Sequence, residues 1–287
     1  MSLIQPIGSA SSDFTLSDQD FEAIARFAHK NFGLALSSNK KPLVSSRLSR
    51  RLRMLNVTDF SAYLKGLEQK EGESERSELL SLLTTNVTQF FREPHHFETL
   101  RDTVLPPLLE KARKGGRVRL WSAGCSNGQE PYTIASVVHS LCPEAARLDI
   151  KVLGTDIDPV VVRTAKAARY NADELSQIPT QYKKMVGKDG QSISPEVSNL
   201  VTFGVLNLIE PFPFRGKMDA IFCRNVAIYF DTPTQQKVWS AFQQTLNPGG
   251  YLFIGHSERM SGPAASHLQT GGITTYVNTP AGTPRGS

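Results

Sequence analysis

Residues 117–141 read RVRLWSAGCSNGQEPYTIASVVHSL, and this stretch decides the fold. RVRLWSAG is a short apolar strand ending in Gly124, and CSNGQEPYTIASVVHSL is a turn followed by a helix. The same alternation continues downstream. DIKVLGTDID (149–158) is a second buried strand and PVVVRTAKAARY (159–170) a second helix. LVTFGVLNL (200–208), MDAIFCRNV (218–226) and GYLFIGHS (250–257) are further strands, while TPTQQKVWSAFQQTL (232–246) is a helix ended by NPGG. Strands separated by helical patterns predict an α/β domain with a mostly parallel, doubly wound sheet. The turn-rich segment GKDGQSISPEVSNL (187–200) interrupts the alternation and reads as a small hairpin-like excursion, within about 171–205.

Upstream of 115 only helical signals occur. Asp18 and Asp20 open a helix whose apolar residues Phe21, Ile24 and Phe27–Ala28 recur at helical spacing until Gly33. A second helix runs from Pro42 to Leu55 on a stripe of Val44, Leu48, Leu52 and Leu55. Thr58 or Asp59 caps a third, DFSAYLKGLE, and a fourth covers SERSELLSLLTT. These make an N-terminal all-α domain at 15–93, and a longer helix at about 94–113 leads into the domain at 94–278. Residues 1–14 and 279–287 read as disordered tails.

Composition narrows the class. With 39% hydrophobic and 21% charged residues in 287, the chain can bury a core and is far from a disordered composition. No run of ~18 apolar residues exists, so no membrane-spanning helix is expected, and MSLIQPIGSASSDF does not read as a secretory signal. Cys125, Cys142 and Cys223 form neither a disulfide framework nor a CxxC metal site, which suits a reducing cytoplasm. The net charge of +5 is mild, and its distribution matters more.

Ligands of a doubly wound sheet bind at the carboxyl ends of its strands near the switch point. There Gly124, Ser126, Asn127 and Gly128 let backbone approach a ligand, and an ordinary tight turn is the competing reading. Glu130 beside them repels a pyrophosphate and suits a cationic, hydroxyl or ammonium group; neither GxGxxG nor GxxxxGK[ST] is present. Asp156, at the end of the second strand, is placed to accept both hydroxyls of a ribose, whereas Asp158, preceding Pro159, reads as a helix N-cap. An adenosine-bearing ligand without phosphates, such as S-adenosylmethionine, fits both features. In TTNVTQFFREPHHF (84–97), Phe90 and Phe91 suit the core, and the Arg92 guanidinium suits a bidentate clamp on a carboxylate. His95 and His96 are adjacent, lack metal-ligand partners at suitable spacing, and read as surface residues at a helix N-terminus. In FCRNVAIYFD (222–231) a strand runs into Arg224, Asn225 and Tyr229, with Asn225 facing the same crevice and Cys223 a small buried hydrophobe.

TTNVTQFFREPHHF, RLWSAGCSNGQEPYTIA, GTDID and FCRNVAIYFD together closely resemble the CheR-type chemotaxis receptor methyltransferases, in the same order and spacing from about 15 to 278. The resemblance implies a Rossmann-like S-adenosylmethionine-dependent sheet and transfer of the methyl group to glutamate side chains on chemoreceptor cytoplasmic helices. The products are glutamate methyl esters and S-adenosylhomocysteine, and no metal takes part. By motif position, Asn86, Thr88 and Arg92 contact the cofactor or frame the reacting centre. Glu130 binds the cofactor's amino-acid or nearby polar end in the crevice it opens with the cofactor-binding Gly124, Asp156 takes the ribose, and Asn207 and Leu208 flank the adenine. Arg224 and Asn225 line the pocket, and Tyr229 stands near the transferred methyl; Arg92 and Tyr229 are the catalytic pair. Gln129 stands where the family's GEEPY motif has its first acidic residue, and Ala227 where a bulky apolar residue is common. In some members a small β-subdomain pairs with a receptor's C-terminal peptide by strand addition, and the segment here is short for that.

The second helix carries Arg47, Arg50 and Arg51 on one face, with Arg53 off that stripe. A solvated face, a nucleic-acid patch and a docking surface for an acidic protein all fit; the resemblance favours the last, since methylatable receptor helices are glutamate-rich. A methyltransferase for RNA or small molecules would share Asp156 and the Gly-rich turn but leaves TTNVTQFFRE unexplained, and intact Arg92, Glu130, Asp156 and Tyr229 argue against a non-catalytic adaptor. A monomer that neither binds nucleic acid nor inserts into a membrane is expected.

Overall fold

The computed structural model describes residues 14–69, 72–85 and 87–279; apart from Phe14 and Thr279, the two expected tails lie outside them. The chain divides into a unit of Met1–Asn31 and Ala35–Thr85 and a unit of Phe32–Leu34 and Asn86–Ser287. Among the described residues no helix is long and apolar enough to cross a membrane.

In the first unit α1 (Asp18–Phe32) opens on Asp18 and Asp20, whose charges favour a helix N-terminus. Helix α2 (Lys41–Leu55) carries Pro42 in its first turn, buries Val44, Leu48 and Leu52, and stops at Asn56 in the left-handed region (φ 52°). Of the two expected caps for α3 (Phe60–Glu68), Asp59 is the one used: its carboxylate accepts the Ala62 N–H at 2.7 Å. Helix α4 (Glu73–Leu83) buries Leu79, Leu80 and Leu83. It is tied to α2 through Arg51, which reaches Glu75 at 2.6 Å, while the Tyr63 hydroxyl donates to the same carboxylate at 2.7 Å.

The second unit begins with a helical stretch that is not one regular helix, as the sequence predicts over 94–113. After α5 (His95–Thr99) a π turn spans Leu100–Val104 before α6 (Leu105–Arg113). The cause is the pair Pro106–Pro107, which lacks two backbone donors, so the hydrogen-bond ladder lengthens just before it and Leu105 N–H bonds back to Leu100 O. Then follow β1 (Val118–Ala123), α7 (Gln129–Leu141), β2 (Ile150–Asp156), α8 (Pro159–Ala167), α9 (Ala172–Ser176), α10 (Pro195–Ser198), β3 (Val201–Val205), β4 (Met218–Cys223), α11 (Thr232–Thr245), β5 (Leu246–Ile254), β6 (Leu268–Gly272) and β7 (Thr275–Asn278).

These strands form one seven-stranded sheet of order β3-β2-β1-β4-β5-β7-β6. The first five are parallel, with Trp121 facing Leu153 on one side and Ile221 on the other, and the β6–β7 hairpin adds antiparallel to β5. Side chains alternate between two buried faces, as the period of two requires. Leu120, Phe222 and Phe253 join the core under α5 to α7, while Trp121, Ile221 and Ile254 join Trp239 and Phe242 of α11. NPGG does more than end α11: the helix stops at Thr245, and NPGG is drawn into β5 as an irregularity where the register shifts between Met218 and Ala220. The excursion between α8 and β3 consists of α9, a 3-10 turn at Thr180–Met185 and α10, and its strand character rests on two isolated antiparallel bridges, Arg169↔Ser192 and Val186↔Ile193.

Chain order places the switch point between β1 and β4, because the chain winds outward to β2 and β3 on one side and to β4 and β5 on the other. Gly124, Asp156 and Arg224 directly follow or close β1, β2 and β4 at their carboxyl ends. The topology alone therefore brings them to one crevice.

Candidate functional site

The turn after β1 is built by close approach. Gly124 has φ +84°, and a Cβ on it would collide with Val226 Cγ2. Gly124 and Cys125 N–H both bond to Thr155 O at 2.8 Å, which locks this turn to the end of β2. Ser126, also at positive φ (49°), aims its N–H at Asp156 Oδ2 (2.8 Å), and Asp158 N–H reaches Oδ1 (3.1 Å). Asp158 in turn caps α8 through Val160 N–H at 2.8 Å. Burial raises the Asp156 carboxyl above its ordinary range against the pull of those backbone donors. Leu206 N–H bonds to Asp156 O at 2.9 Å, so Asn207 and the buried Leu208 follow directly beside the Asp156 strand end.

Glu130, in the first turn of α7, accepts from Ser122 Oγ at 2.6 Å and from Arg224 Nη1 at 3.0 Å. Burial lifts its carboxyl above the usual range, opposed by the Arg224 charge and the Ser122 hydroxyl. Arg224 is the hub here: its side chain is only 2% exposed, and it also donates to the backbone carbonyl of Arg92 and lies 3.5 Å from Glu93 Oε2. Its guanidinium carbon sits 5.4 Å from the Phe97 ring centroid. Arg224 therefore serves first as an internal tie between Glu130 and the loop before α5, a role that sequence reading did not give it.

That loop is strained on both sides of Arg92, with φ 54° at both Phe91 and Glu93. Aromatic packing holds the strain: Phe90 meets Tyr170 edge-on at 4.9 Å, and Phe91 stacks on Tyr182 at 4.6 Å. Phe91 N–H also reaches Thr133 Oγ1 of α7 at 3.3 Å. The partly exposed Arg92 side chain donates to Val87 O at 3.1 Å. Thr88 is partly buried in the same segment, and Asn86 lies outside the described residues.

Histidine placement differs from expectation. His96 is fully buried rather than at the surface: Nε2 lies 2.8 Å from Thr274 Oγ1 and its ring packs edge-on against Phe253. Because α5 follows directly on the turn made by Glu93 and Pro94, His96 is set against β5 and the turn between β6 and β7 instead of solvent, while His95 stays partly exposed. Burial and the neighbouring Arg224 charge lower its pKa to about 3, so it stays neutral. His95, His96 and Glu93 bring three ligand-type atoms within 4.8 Å of one another. The Arg224 cation beside Glu93 Oε2 disfavours a divalent ion on that oxygen.

Two further residues were missed by the sequence reading. Glu93 joins His256 Nδ1 at 2.9 Å to Arg224; burial opposes its ionisation, but the His256 bond and the Arg224 charge hold its carboxyl below the usual range. Its signal was adjacency to Arg92. Glu258, buried behind the loop after β4, had no local signal beyond following GHS. After that loop comes the 3-10 turn Ala227–Tyr229, with Tyr229 partly exposed.

Asn225 (φ 60°) stands at the carboxyl end of β4. Its Oδ1 and the Arg224 Nε are buried without a protein partner among the described residues. Two recessed carboxylates, an orphaned amide oxygen and a glycine-lined turn suit a ligand with a sugar diol and cationic groups, and no phosphate.

In the first unit, the arginines of α2 separate into two pairs. Arg47 donates to the carbonyls of Leu82 (2.7 Å) and Thr84 (3.0 Å), and Arg51 is bound to Glu75, so both are partly buried structural ties. Arg50 and Arg53 are exposed. Of the three arginines that helical spacing puts on one face, only Arg50 stays outward, joined by Arg53 from beside that stripe, because α4 and its C-terminal end present carbonyls and acids to Arg47 and Arg51.

Comparison with known proteins gives concordant matches. Residues 19–84 match the CheR methyltransferase all-alpha domain and residues 86–277 the CheR methyltransferase SAM binding domain. A probable chemotaxis protein methyltransferase of Rhizobium etli is 47% identical over 264 residues, covering 90% of this chain and 98% of that protein. The chemotaxis protein methyltransferase of Escherichia coli is 39% identical over 255 residues, 86% of each chain. Among solved structures, PKMT2 from Rickettsia typhi in complex with AdoHcy aligns with TM-score 0.33 and 18% identity over 53% of this chain and 25% of that one, too distant to carry a conclusion.

Proposed function

The chain belongs to the CheR methyltransferase family, and from that premise we propose that it methylates glutamate side chains on the cytoplasmic helices of chemoreceptors, leaving methyl esters and S-adenosylhomocysteine. It is an S-adenosylmethionine-dependent methyltransferase of chemotaxis-type signalling. The observation that carries the geometric side is the pair of recessed carboxylates, Glu130 and Asp156, flanking the Gly124 turn. A phosphate-bearing ligand would be repelled there, whereas an ammonium and a ribose diol each meet an acceptor.

When bound, S-adenosylmethionine supplies an electrophilic methyl on a sulfonium. Asp156 is assigned the ribose hydroxyls, Glu130 and the Gly124 turn the amino-acid end, and Asn207 and Leu208 the adenine. Asn225 offers its unpartnered oxygen to the same ligand, and Asn86 and Thr88 keep their assignment to it by motif position. A glutamate of pKa about 4.3 is already ionised near neutral pH, so the acceptor needs no strong base. What the protein supplies is alignment and exclusion of water. Carboxylate and sulfonium charges cancel as the bond forms, so an apolar surround favours the transition state. Arg92 orients the carboxylate, Tyr229 walls the transfer position, and Arg224 holds Glu130 and the Arg92 backbone together. The exposed Arg50 and Arg53 of α2 offer positive charge to glutamate-rich receptor helices. The enzyme acts in the cytoplasm as a monomer.

Radiolabelled methyl transfer to a receptor cytoplasmic fragment tests this reading. The label is expected to come off in mild alkali as an ester does. An alkali-stable product would replace glutamate with a nitrogen acceptor, and calorimetry showing no affinity for the donor or for S-adenosylhomocysteine would remove the reading altogether.

A further inference from the structure

We infer that Glu258 is a positioning residue for methyl transfer: by gathering the N–H groups of Asn225, Val226, Ala227 and Gly255, its carboxylate holds the loop bearing Arg224, Asn225 and Tyr229 in its donor-binding form. The inference rests on the reading of that loop as a wall of the donor site.

Glu258 is 4% exposed. Oε1 accepts from Val226 N–H (2.9 Å) and Ala227 N–H (2.7 Å), and Oε2 from Asn225 N–H (3.1 Å) and Gly255 N–H (2.5 Å). Burial lifts its carboxyl above the ordinary range, and the four backbone donors pull the other way. Three successive N–H groups converge on one anion in a backbone nest, where left-handed and right-handed residues alternate. Asn225 (φ 60°) and Val226 (φ −114°, ψ −48°) provide that alternation. Asparagine tolerates the left-handed region better than most residues with a side chain. The chain has thus filled its own anion-binding nest with its own carboxylate.

The surroundings are shaped for this contact. A Cβ on Gly255 would lie 2.8 Å from Asn225 N and 3.0 Å from Glu258 Oε2. From the other side Gln235 Nε2 donates to Ala227 O (2.8 Å) and Phe230 O (3.1 Å), bracing the turn that carries Tyr229. Arg259 closes the turn behind, donating to the carbonyls of His256 and Glu258 at 2.8 and 2.7 Å. The clip therefore joins the carboxyl ends of β4 and β5 and sets where Arg224 leaves the sheet toward Glu130. A neutral amide at 258 offers one oxygen in place of two and turns its own N–H groups toward N–H donors. Such a change releases the loop without cutting into the sheet.

Two variants of the full chain test this: Glu258→Gln, which removes the charge, and Gly255→Ala, which displaces the loop with the carboxylate intact. Calorimetry with S-adenosylhomocysteine is expected to show affinity reduced at least tenfold in both, with kcat reduced alongside. Receptor-fragment binding should stay within about twofold, and Glu258→Asp should recover part of the loss. A merely structural carboxylate would lower the unfolding temperature and leave the affinity of the folded protein unchanged. Unaltered affinity in a folded Glu258→Gln or Gly255→Ala protein overturns the inference while the parent protein still binds. If the parent itself does not bind S-adenosylhomocysteine, the donor reading falls and this inference falls with it. Should Glu258→Gln fail to fold, Gly255→Ala decides alone.

Discussion

The two units differ in their most buried charges. In the second, a group of them at the strand ends is withdrawn from water: Arg224 is 2% exposed at its side chain, Glu93 12% and Glu130 14%. In the first, Arg51 meets Glu75 with both side chains 20% exposed, and Lys41 meets an Asp18 that is 93% exposed. Burying charge costs several kcal/mol per ion unless geometry and hydrogen bonds compensate. Exposed pairs contribute about 0–1 kcal/mol and weaken with salt. A buried network at strand ends therefore marks where position matters more than stability, and on the proposed reading the exposed arginines of α2 tune association. Each unit should fail in its own way when altered.

The largest effect is expected at the hub. Arg224→Met leaves Glu130 and Glu93 without their shared cation, a change of about 3–5 kcal/mol for a broken buried pair. Denaturant unfolding should report that loss, and calorimetry should find S-adenosylhomocysteine binding abolished. If both quantities stay near the parent values, the buried network is not what organises the crevice.

Protonation gives the next effect. His96 titrates at about 3 when folded, against 6.5 ordinarily, with Arg224, His95 and Glu93 facing it. Between these values the unfolded chain holds a proton there and the folded chain does not, so stability rises with pH across that window and is lost as pH falls through it. A His96→Gln variant removes this slope. The difference between parent and variant unfolding free energies should shift by a few kcal/mol from pH 7 to pH 4. A difference that stays constant with pH would mean that His96 is not held neutral.

Arg92→Ala comes third. Among the described residues the side chain makes one hydrogen bond, to Val87 O, so its loss should leave the fold within about 0.5 kcal/mol. Loss of a charged group that orients a reacting carboxylate costs on the order of a hundredfold in kcat. Turnover equal to the parent on a receptor substrate would move that orienting role to another residue.

How far these roles were legible depends on how local their causes are. The strand–turn–helix at 117–141 announces itself because an apolar run, a glycine-bearing turn and a long apolar helix follow one another within a single window, and the parallel direction of β1 to β5 follows from the alternation of strands with helices. The Asp59 and Asp158 caps are equally local, since each bonds to an N–H two or three residues on. The β6–β7 hairpin is five and four residues long, and its GG pair carries little strand propensity, so only pairing with β5 defines it. Glu258 contacts residues 31 to 33 positions upstream, and Arg224 reaches across 94 and 132 residues to Glu130 and Arg92. No windowed pattern contains such partners. His96 is hidden for the same reason: its burial is set by Phe253 and Thr274, far along the chain.

The smallest effect sharpens the contrast from the side of the first unit. Helical spacing makes Arg47, Arg50 and Arg51 look equivalent, yet Arg47 and Arg51 are spent on α4 while Arg50 and Arg53 face solvent. Replacing Arg50 and Arg53 together by Ala should raise KM for a receptor fragment severalfold, with S-adenosylhomocysteine affinity and unfolding temperature unchanged. Because the charges are exposed, the gap between parent and variant should close as ionic strength approaches 1 M, where the Debye length falls to about 3 Å. Arg51→Ala should do the reverse. It leaves Glu75 with Tyr63 alone, lowers stability by about 1 kcal/mol, and scarcely moves KM. Steady-state kinetics at low and high salt on both variants separate the two. If Arg51→Ala raises KM as much as the double variant, docking draws on the whole helix rather than its outward pair.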